Sequence, residues 1–215
     1  DRPVGQMLEI ASISGNTVSF TTPLHIAFDT AHRAQLTRYK LPYGARSAGL
    51  EDLTVLGGMG GGNILVRLAM YSWVKGVDSD RSLGDAVTLD SSFRCVLRDS
   101  YVHDAVDPNP GGNGYLLSIG EYTSDSLVEN NIFINANKVM VMRASGGGNV
   151  IGYNYFDNGY IESYPGWVET GLNPSHMTCP HFELFEGNQA FNADPDDTWG
   201  GAVYNTFFRN HLTGK

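Results

Sequence analysis

The stretch Ser124-Asp125-Ser126-Leu127-Val128-Glu129-Asn130-Asn131-Ile132-Phe133 decides the fold. Two short β-favouring runs meet at an Asn-Asn turn, and the arrangement returns on both sides. Ser100, Asn131, Asn154, Asn188 and Asn210 fall in one column. Three positions earlier stand Leu97, Val128, Ile151, Phe185 and Phe207, and two positions later Val102, Phe133, Phe156, Ala190 and Leu212. Upstream, Asp52 and Val77 fit the column less perfectly. From Asp52 onward the spacings are 25, 23, 31, 23, 34 and 22 residues. A unit of about 22–25 residues, twice lengthened, is the mark of a solenoid whose insertions bulge from one side.

Composition selects the kind of solenoid. β-Branched and aromatic runs such as Ile132-Phe133-Ile134 and Val139-Met140-Val141 alternate with Asn-Asn or Gly-Gly-Gly turns, and no ten-residue helical pattern intervenes. Three short strands per turn fit this better than a strand and a helix. The asparagines have a structural use: Asn tolerates a left-handed backbone at a tight turn, and stacked carboxamides can hydrogen-bond along the solenoid axis.

Arg94–Tyr101, Ser124–Phe133 and Gly148–Tyr155 resemble the right-handed parallel β-helix of the pectate lyase-like (pectin lyase fold) superfamily, especially its bacterial parallel β-helix repeat proteins. The resemblance implies an all-β chain: a right-handed parallel β-helix of about seven rungs over residues 48–215, preceded by an N-terminal cap over residues 1–47. The cap carries a β-hairpin, read from Met7–Ile13 and Thr17–Phe20 around Ser14-Gly15-Asn16. A cap helix near residues 28–37 is weakly supported, and Arg33, Arg38, Lys40 and Arg46 suggest a surface connection. By the superfamily's layout a third strand closes each rung, at Asn63–Arg67, Asp85–Asp90, Tyr115–Ile119 and Lys138–Arg143. The insertions His103–Gly114, Asn158–Pro180 and Ala193–Gly201 precede this row and would wall a groove. In relatives that groove holds polysaccharide.

The chain has 14 basic and 23 acidic residues, a net charge of −9. That argues against nucleic acid, whose binding needs clustered Lys and Arg, and favours a neutral glycan over a polyanionic one. No apolar run approaches the ~18 residues of a membrane span. Cys95 and Cys179 show no metal spacing and read as two unpaired core residues, with one bridge between them as the alternative. The opening Asp1-Arg2-Pro3-Val4 reads as a mature or excised piece.

Asp104, Asp107, Glu121 and Arg143 form the candidate acid–base set of an enzyme, with Arg143 stabilising developing negative charge. Their ordinary structural reading, turn formation and a Glu121–Arg143 pair, is the favoured one. The superfamily's catalytic signatures are mostly missing: there is no Arg-x-Pro-x-x-Arg run, and of the polygalacturonase set only an Asp196-Asp197 pair occurs. Tyr160, Tyr164, Trp167 and Trp199 lie in Gly/Pro-rich insertions and suit stacking on sugar rings, with Lys138 and Arg143 as hydrogen-bond donors to hydroxyls. A second outward row, Tyr101, Ile132, Tyr155, Gln189 and His211, places Tyr101 and Tyr155 about 10 Å apart, two strand spacings. That distance is commensurate with alternate rings of a β-linked glycan, although such ladders are more often structural.

Asp194, Asp196 and Asp197 make a weak calcium candidate, and no other cofactor is expected. Histidines 25, 32, 103, 176, 181 and 211 show no paired spacing, which argues against zinc. The function expected is a non-catalytic module that binds an extracellular polysaccharide, xylan-like or another plant cell-wall glycan. It would work outside the cell or at its surface, beside a catalytic domain of the same parent chain. A polysaccharide lyase or glycoside hydrolase is the alternative, and a structural or adhesin-like solenoid a second.

Overall fold

A computed structural model describes residues 4–39, 44–57, 61–109, 111–168, 171–195 and 199–214. The chain begins with the hairpin β1 (Ile10–Ser14) and β2 (Thr17–Phe20), joined at Gly15-Asn16. Where a cap helix was weakly supported there is only a single 3₁₀ turn, Thr30–His32, started by the Asp29 side chain and stopped by Arg33 in the left-handed region.

The remainder winds as a parallel β-helix of about seven turns. The first turn is β3 (Gly49–Glu51), β4 (Thr54–Leu56) and β5 (Ile64–Arg67), and the second β6 (Trp73–Lys75), β7 (Asp78–Asp80) and β8 (Val87–Asp90). The third is β9 (Val96–Arg98), β10 (Tyr101–His103) and β11 (Tyr115–Ile119), and the fourth β12 (Leu127–Glu129), β13 (Ile132–Ala136) and β14 (Lys138–Met142). In the fifth, β15 (Val150–Gly152) leads to β16 (Tyr155–Ile161), against which β17 (Tyr164–Val168) folds back antiparallel. β18 (Leu184–Glu186) with β19 (Gln189–Ala190), then β20 (Thr206–Phe208) with β21 (His211–Leu212), complete the last two turns. The first strands of the turns stack into one parallel sheet, the second strands into another, and β5, β8, β11 and β14 into a third.

Both corners flanking the first sheet are turned by a left-handed residue, joined before Gly148 by a second, Gly147. Before the sheet stand Ser47, Tyr71, Arg94, Asp125, Gly148, Phe182 and Tyr204, and after it Asp52, Gly76, Asp99, Asn130, Tyr153, Gly187 and Arg209. These positions directly precede the ladder residues, so the asparagine column does not itself adopt the left-handed conformation. Its contribution is hydrogen bonding alone. Asp52 belongs to the left-handed set, and Leu53 occupies the column in the first turn, bonded through its carbonyl to Asp78.

The ladder is nevertheless continuous. Asn154 Oδ1 accepts from the N–H (3.0 Å) and Nδ2 (2.9 Å) of Asn131, and Asn188 and Asn210 repeat the pattern one turn on. Each Nδ2 also donates to a carbonyl of the preceding turn, as Asn154 does to Val128. Every buried polar atom in that column thereby finds a partner. A second ladder runs through Ser126, Asn149, Glu183 and Asn205 at the other corner.

The inward columns form the core. Leu97, Val128, Ile151 and Phe185 face Val102, Phe133, Phe156 and Ala190, and the third sheet adds Leu89, Leu117, Ile119, Met140 and Met142. Phe133 and Phe156 stack at 5.0 Å, 8° from parallel. In the last turn Phe207 and Leu212 keep the register but are exposed. Cys95 is buried, and both cysteines are free thiols. The N-terminal segment lies along the corner before the first sheet. Met7 N–H donates to Tyr122 O, Glu9 accepts from Tyr71 and pairs with Arg46, and His25 bonds Gly146 O and Asp125.

Candidate functional site

The third sheet, where the insertions rise, is not an open face. All five residues of β11 and all five of the neighbouring edge strand β14 are buried, so this end of the sheet is covered on both sides. Lys138 is among them. Arg143 lies against Tyr115, its guanidinium 5.0 Å from the ring centre, and holds both oxygens of Asp85 at 3.1 Å. Tyr115 Oη in turn meets His176 Nε2 at 3.3 Å.

The four residues of the expected acid–base set do not come together. Asp104 follows β10 in the second sheet, whereas Glu121 is exposed beyond the far end of β11 in the third. Asp107 accepts from Asn109 Nδ2 at 2.8 Å as a turn former, and the cation beside Asp85 is Arg143. Of the insertion aromatics, Tyr160 is half-buried and Trp199 is 66% exposed. Tyr164 and Trp167 sit on β17, but their side chains lie outside the described residues, as do Asp196 and Asp197. Asp194, the remaining member of the calcium candidate, is exposed.

Among the described residues an open groove lies elsewhere, at the corner between the first and second sheets. It measures about 640 Å³ and is lined by Asp99, Asn130, Tyr153 and Gly187 at the corner, and by Tyr101, Ile132, Tyr155 and Gln189 on the sheet. This is the outward row read from the sequence, and the strand register sets its spacing. Tyr101 pairs with Ile132, Ile132 with Tyr155, and Tyr155 with Gln189, each on the neighbouring strand. Tyr101 and Tyr155 are each 37% exposed and Ile132 45%.

The groove's walls are held in place. Tyr153 Oη donates to Glu186 (3.2 Å) and accepts from Arg209 (3.1 Å), and its ring lies over Gly187. A Cβ added at Gly187 would come within 2.6 Å of that ring; the left-handed backbone (φ +65°) is met elsewhere at this corner by Asp, Asn, Tyr and Arg, so it is the close approach of the ring that requires glycine. Asp99 accepts from Asn130 Nδ2 at 2.7 Å and from Arg98 at 2.9 Å, and these contacts hold its carboxyl below the usual range. Aromatic plates edged by carboxamides and a fixed carboxylate can take a flat, hydroxylated ligand along the strand-stacking direction.

Beside Tyr101 the same sheet gathers a polar cluster that residue spacing along one strand does not reveal. His103 stacks on Tyr101 (3.9 Å between ring centres, 14° between planes). Its Nε2 lies 2.9 Å from Asp78 and its Nδ1 2.7 Å from Asp104 and 3.7 Å from Asp80. Burial would lower the imidazole's pKa, but hydrogen bonds to Asp104 and Asp78 outweigh it and the net shift is upward. The signal was present in the repeat: Asp80 and His103 are 23 residues apart, one turn, and face one another across adjacent strands.

Compared with known protein-family models and with curated proteins, the sequence matches none.

Proposed function

We propose that this β-helix binds an extended, neutral polysaccharide in the groove over Tyr101, Ile132 and Tyr155. Membership of the pectate lyase-like superfamily and an extracellular setting are part of the same reading. The observation that carries it is the row itself: two exposed tyrosines on one face, two strands apart, in an open groove edged by carboxamides. Their separation of about 10 Å follows from strand stacking and is close to the repeat of alternate rings in a β-linked glycan. An open trough suits a chain that passes through, whereas a small ligand needs enclosure. The net charge of −9 disfavours a polyanionic chain.

Affinity electrophoresis against soluble xylan, β-glucan, mannan and polygalacturonate tests the proposal. Retardation by a neutral β-linked glycan is expected, lost in Tyr101→Ala and Tyr155→Ala and kept in Tyr160→Ala and Trp199→Ala. No retardation by any of them, or loss only in the Tyr160 and Trp199 variants, overturns it. Cleavage is distinguished by the same preparation: release of oligosaccharide that Asp104→Ala no longer performs would make the protein an enzyme.

A further inference from the structure

We infer that His103, Asp80 and Asp104 form a binding site for one divalent transition-metal ion, with Asp78 as the outer carboxylate that orients the imidazole. One ligand atom from each of the three lies within 4.8 Å of the others. They arrive there for different reasons. Asp80 and His103 hold the same register position on β7 and β10 and both point outward, and Asp104 is the next residue, turned by a left-handed backbone (φ +55°).

The imidazole is set up as a nitrogen ligand. With the Nε2 N–H directed to Asp78 Oδ1 at 2.9 Å, Nδ1 is the nitrogen a metal ion would take, in exchange for the proton shared there with Asp104 at 2.7 Å. A histidine whose far nitrogen donates to a carboxylate is the usual outer support of a metal-bound imidazole. Stacking on Tyr101 fixes the plane of the ring. Asp104 is supported likewise: Asn135 Nδ2 holds its Oδ1 at 2.5 Å, and Asn158 holds Asn135 at 2.6 Å. Oδ2 is thereby the oxygen turned to Nδ1.

The spacing suits a small ion. Metal–ligand bonds of 2.0–2.1 Å in a tetrahedral site separate ligand atoms by roughly 3.3 Å. The contacts from Nδ1, 2.7 Å to Asp104 and 3.7 Å to Asp80, straddle that value. One nitrogen and two carboxylates select zinc, cobalt or manganese over calcium, which takes six to eight oxygens. Three carboxylates around one imidazole carry net negative charge whether or not the ring is protonated, and a divalent ion would offset it. Three protein ligands would leave at least one coordination position for solvent. The site stands on its own residues and does not depend on the proposed glycan binding.

Isothermal titration calorimetry with zinc, manganese and calcium, on untagged protein, tests the site alongside thermal melting. One equivalent of zinc or manganese is expected to bind, with a rise in melting temperature. Asp80→Asn and His103→Ala should abolish binding, and Asp78→Asn should weaken it about 10–100-fold through the imidazole. Far-UV circular dichroism of each variant separates loss of the site from loss of the fold, and His211→Ala should bind as the parent does. The inference is overturned if neither zinc nor manganese binds, if only calcium does, or if folded His103→Ala and Asp80→Asn proteins bind like the parent.

Discussion

Asn131 and Asn154, one turn apart, are joined twice: the Asn154 carboxamide oxygen accepts both the backbone N–H and the side-chain Nδ2 of Asn131, at 3.0 and 2.9 Å. Both residues are buried, so neither donor has water as a substitute. Asn154→Ala leaves two buried donors unpaired and also removes the bond to Val128 O. An orphaned buried donor costs about 1–3 kcal/mol, so a loss on the order of 3 kcal/mol is expected in denaturant titration. Asn210→Ala, in the last turn and only part-buried, should cost roughly half as much or less.

Phe133 is fully buried and stacked on Phe156. Truncation to Ala removes the ring's burial and leaves a cavity between turns that cannot close without shifting the register. A cost of about 3–5 kcal/mol is expected. Phe207 keeps the same stacking geometry on Phe185 at 4.7 Å but is 44% exposed. Phe207→Ala should therefore cost well under half of that, and equal midpoints for the two variants would contradict the assigned core.

Glu183 occupies a ladder place held by Ser126, Asn149 and Asn205 in neighbouring turns, and accepts from Ser145 Oγ, Asn149 N and Asn149 Nδ2. Burial pushes its pKa up to about 7, against the ordinary 4.5. The folded state thus binds this proton more tightly than the unfolded state does. Its contribution is fully present below pH 4.5 and is lost as pH rises through 7, a loss of about 3 kcal/mol at 1.36 kcal/mol per pKa unit. His25, raised by its bond to Asp125, weakens the fold in the same direction above its ordinary value of 6.5. Glu183→Gln should flatten the stability profile between pH 4.5 and 7, measured as melting temperature across that range. An unchanged slope would show that the carboxyl is not the titrating group.

Tyr101 and Tyr155 should contribute comparably to glycan affinity, since each offers one partly exposed ring to the same groove. Each truncation to Ala should weaken binding about tenfold, equivalent to 1.4 kcal/mol, in calorimetric titration with the retarding glycan. Gly187→Ala should weaken it as well by displacing the Tyr153 ring, although position 187 need never touch the ligand.

Much of this was legible in the residues. The inward columns around Asn131 and Phe133 become the core, and all four third-row segments become strands. The corner was misread by one place because two adjacent positions carry different demands. The left-handed residue tolerates Asp, Tyr, Arg or Gly, whereas the ladder residue needs a hydrogen-bonding side chain only where its neighbours have one. In the first turn Asp52 takes the former place and an apolar Leu53 the latter, so polarity pointed to the wrong member of the pair.

By itself the sequence determined the turn length, the three strands of each of the first four turns and the inward face, because alternation and corner geometry are demands each residue meets with its immediate neighbours. Only the tertiary structure decided which outward face stays open. The insertions carry no repeat, and whether they wall a groove or bury the third sheet depends on how they settle over β11 and β14. It also decided which charges meet. Asp85 finds Arg143 across 58 residues, and Asp78, Asp80 and Asp104 surround His103, through a register that accumulates turn by turn and that no local stretch encodes.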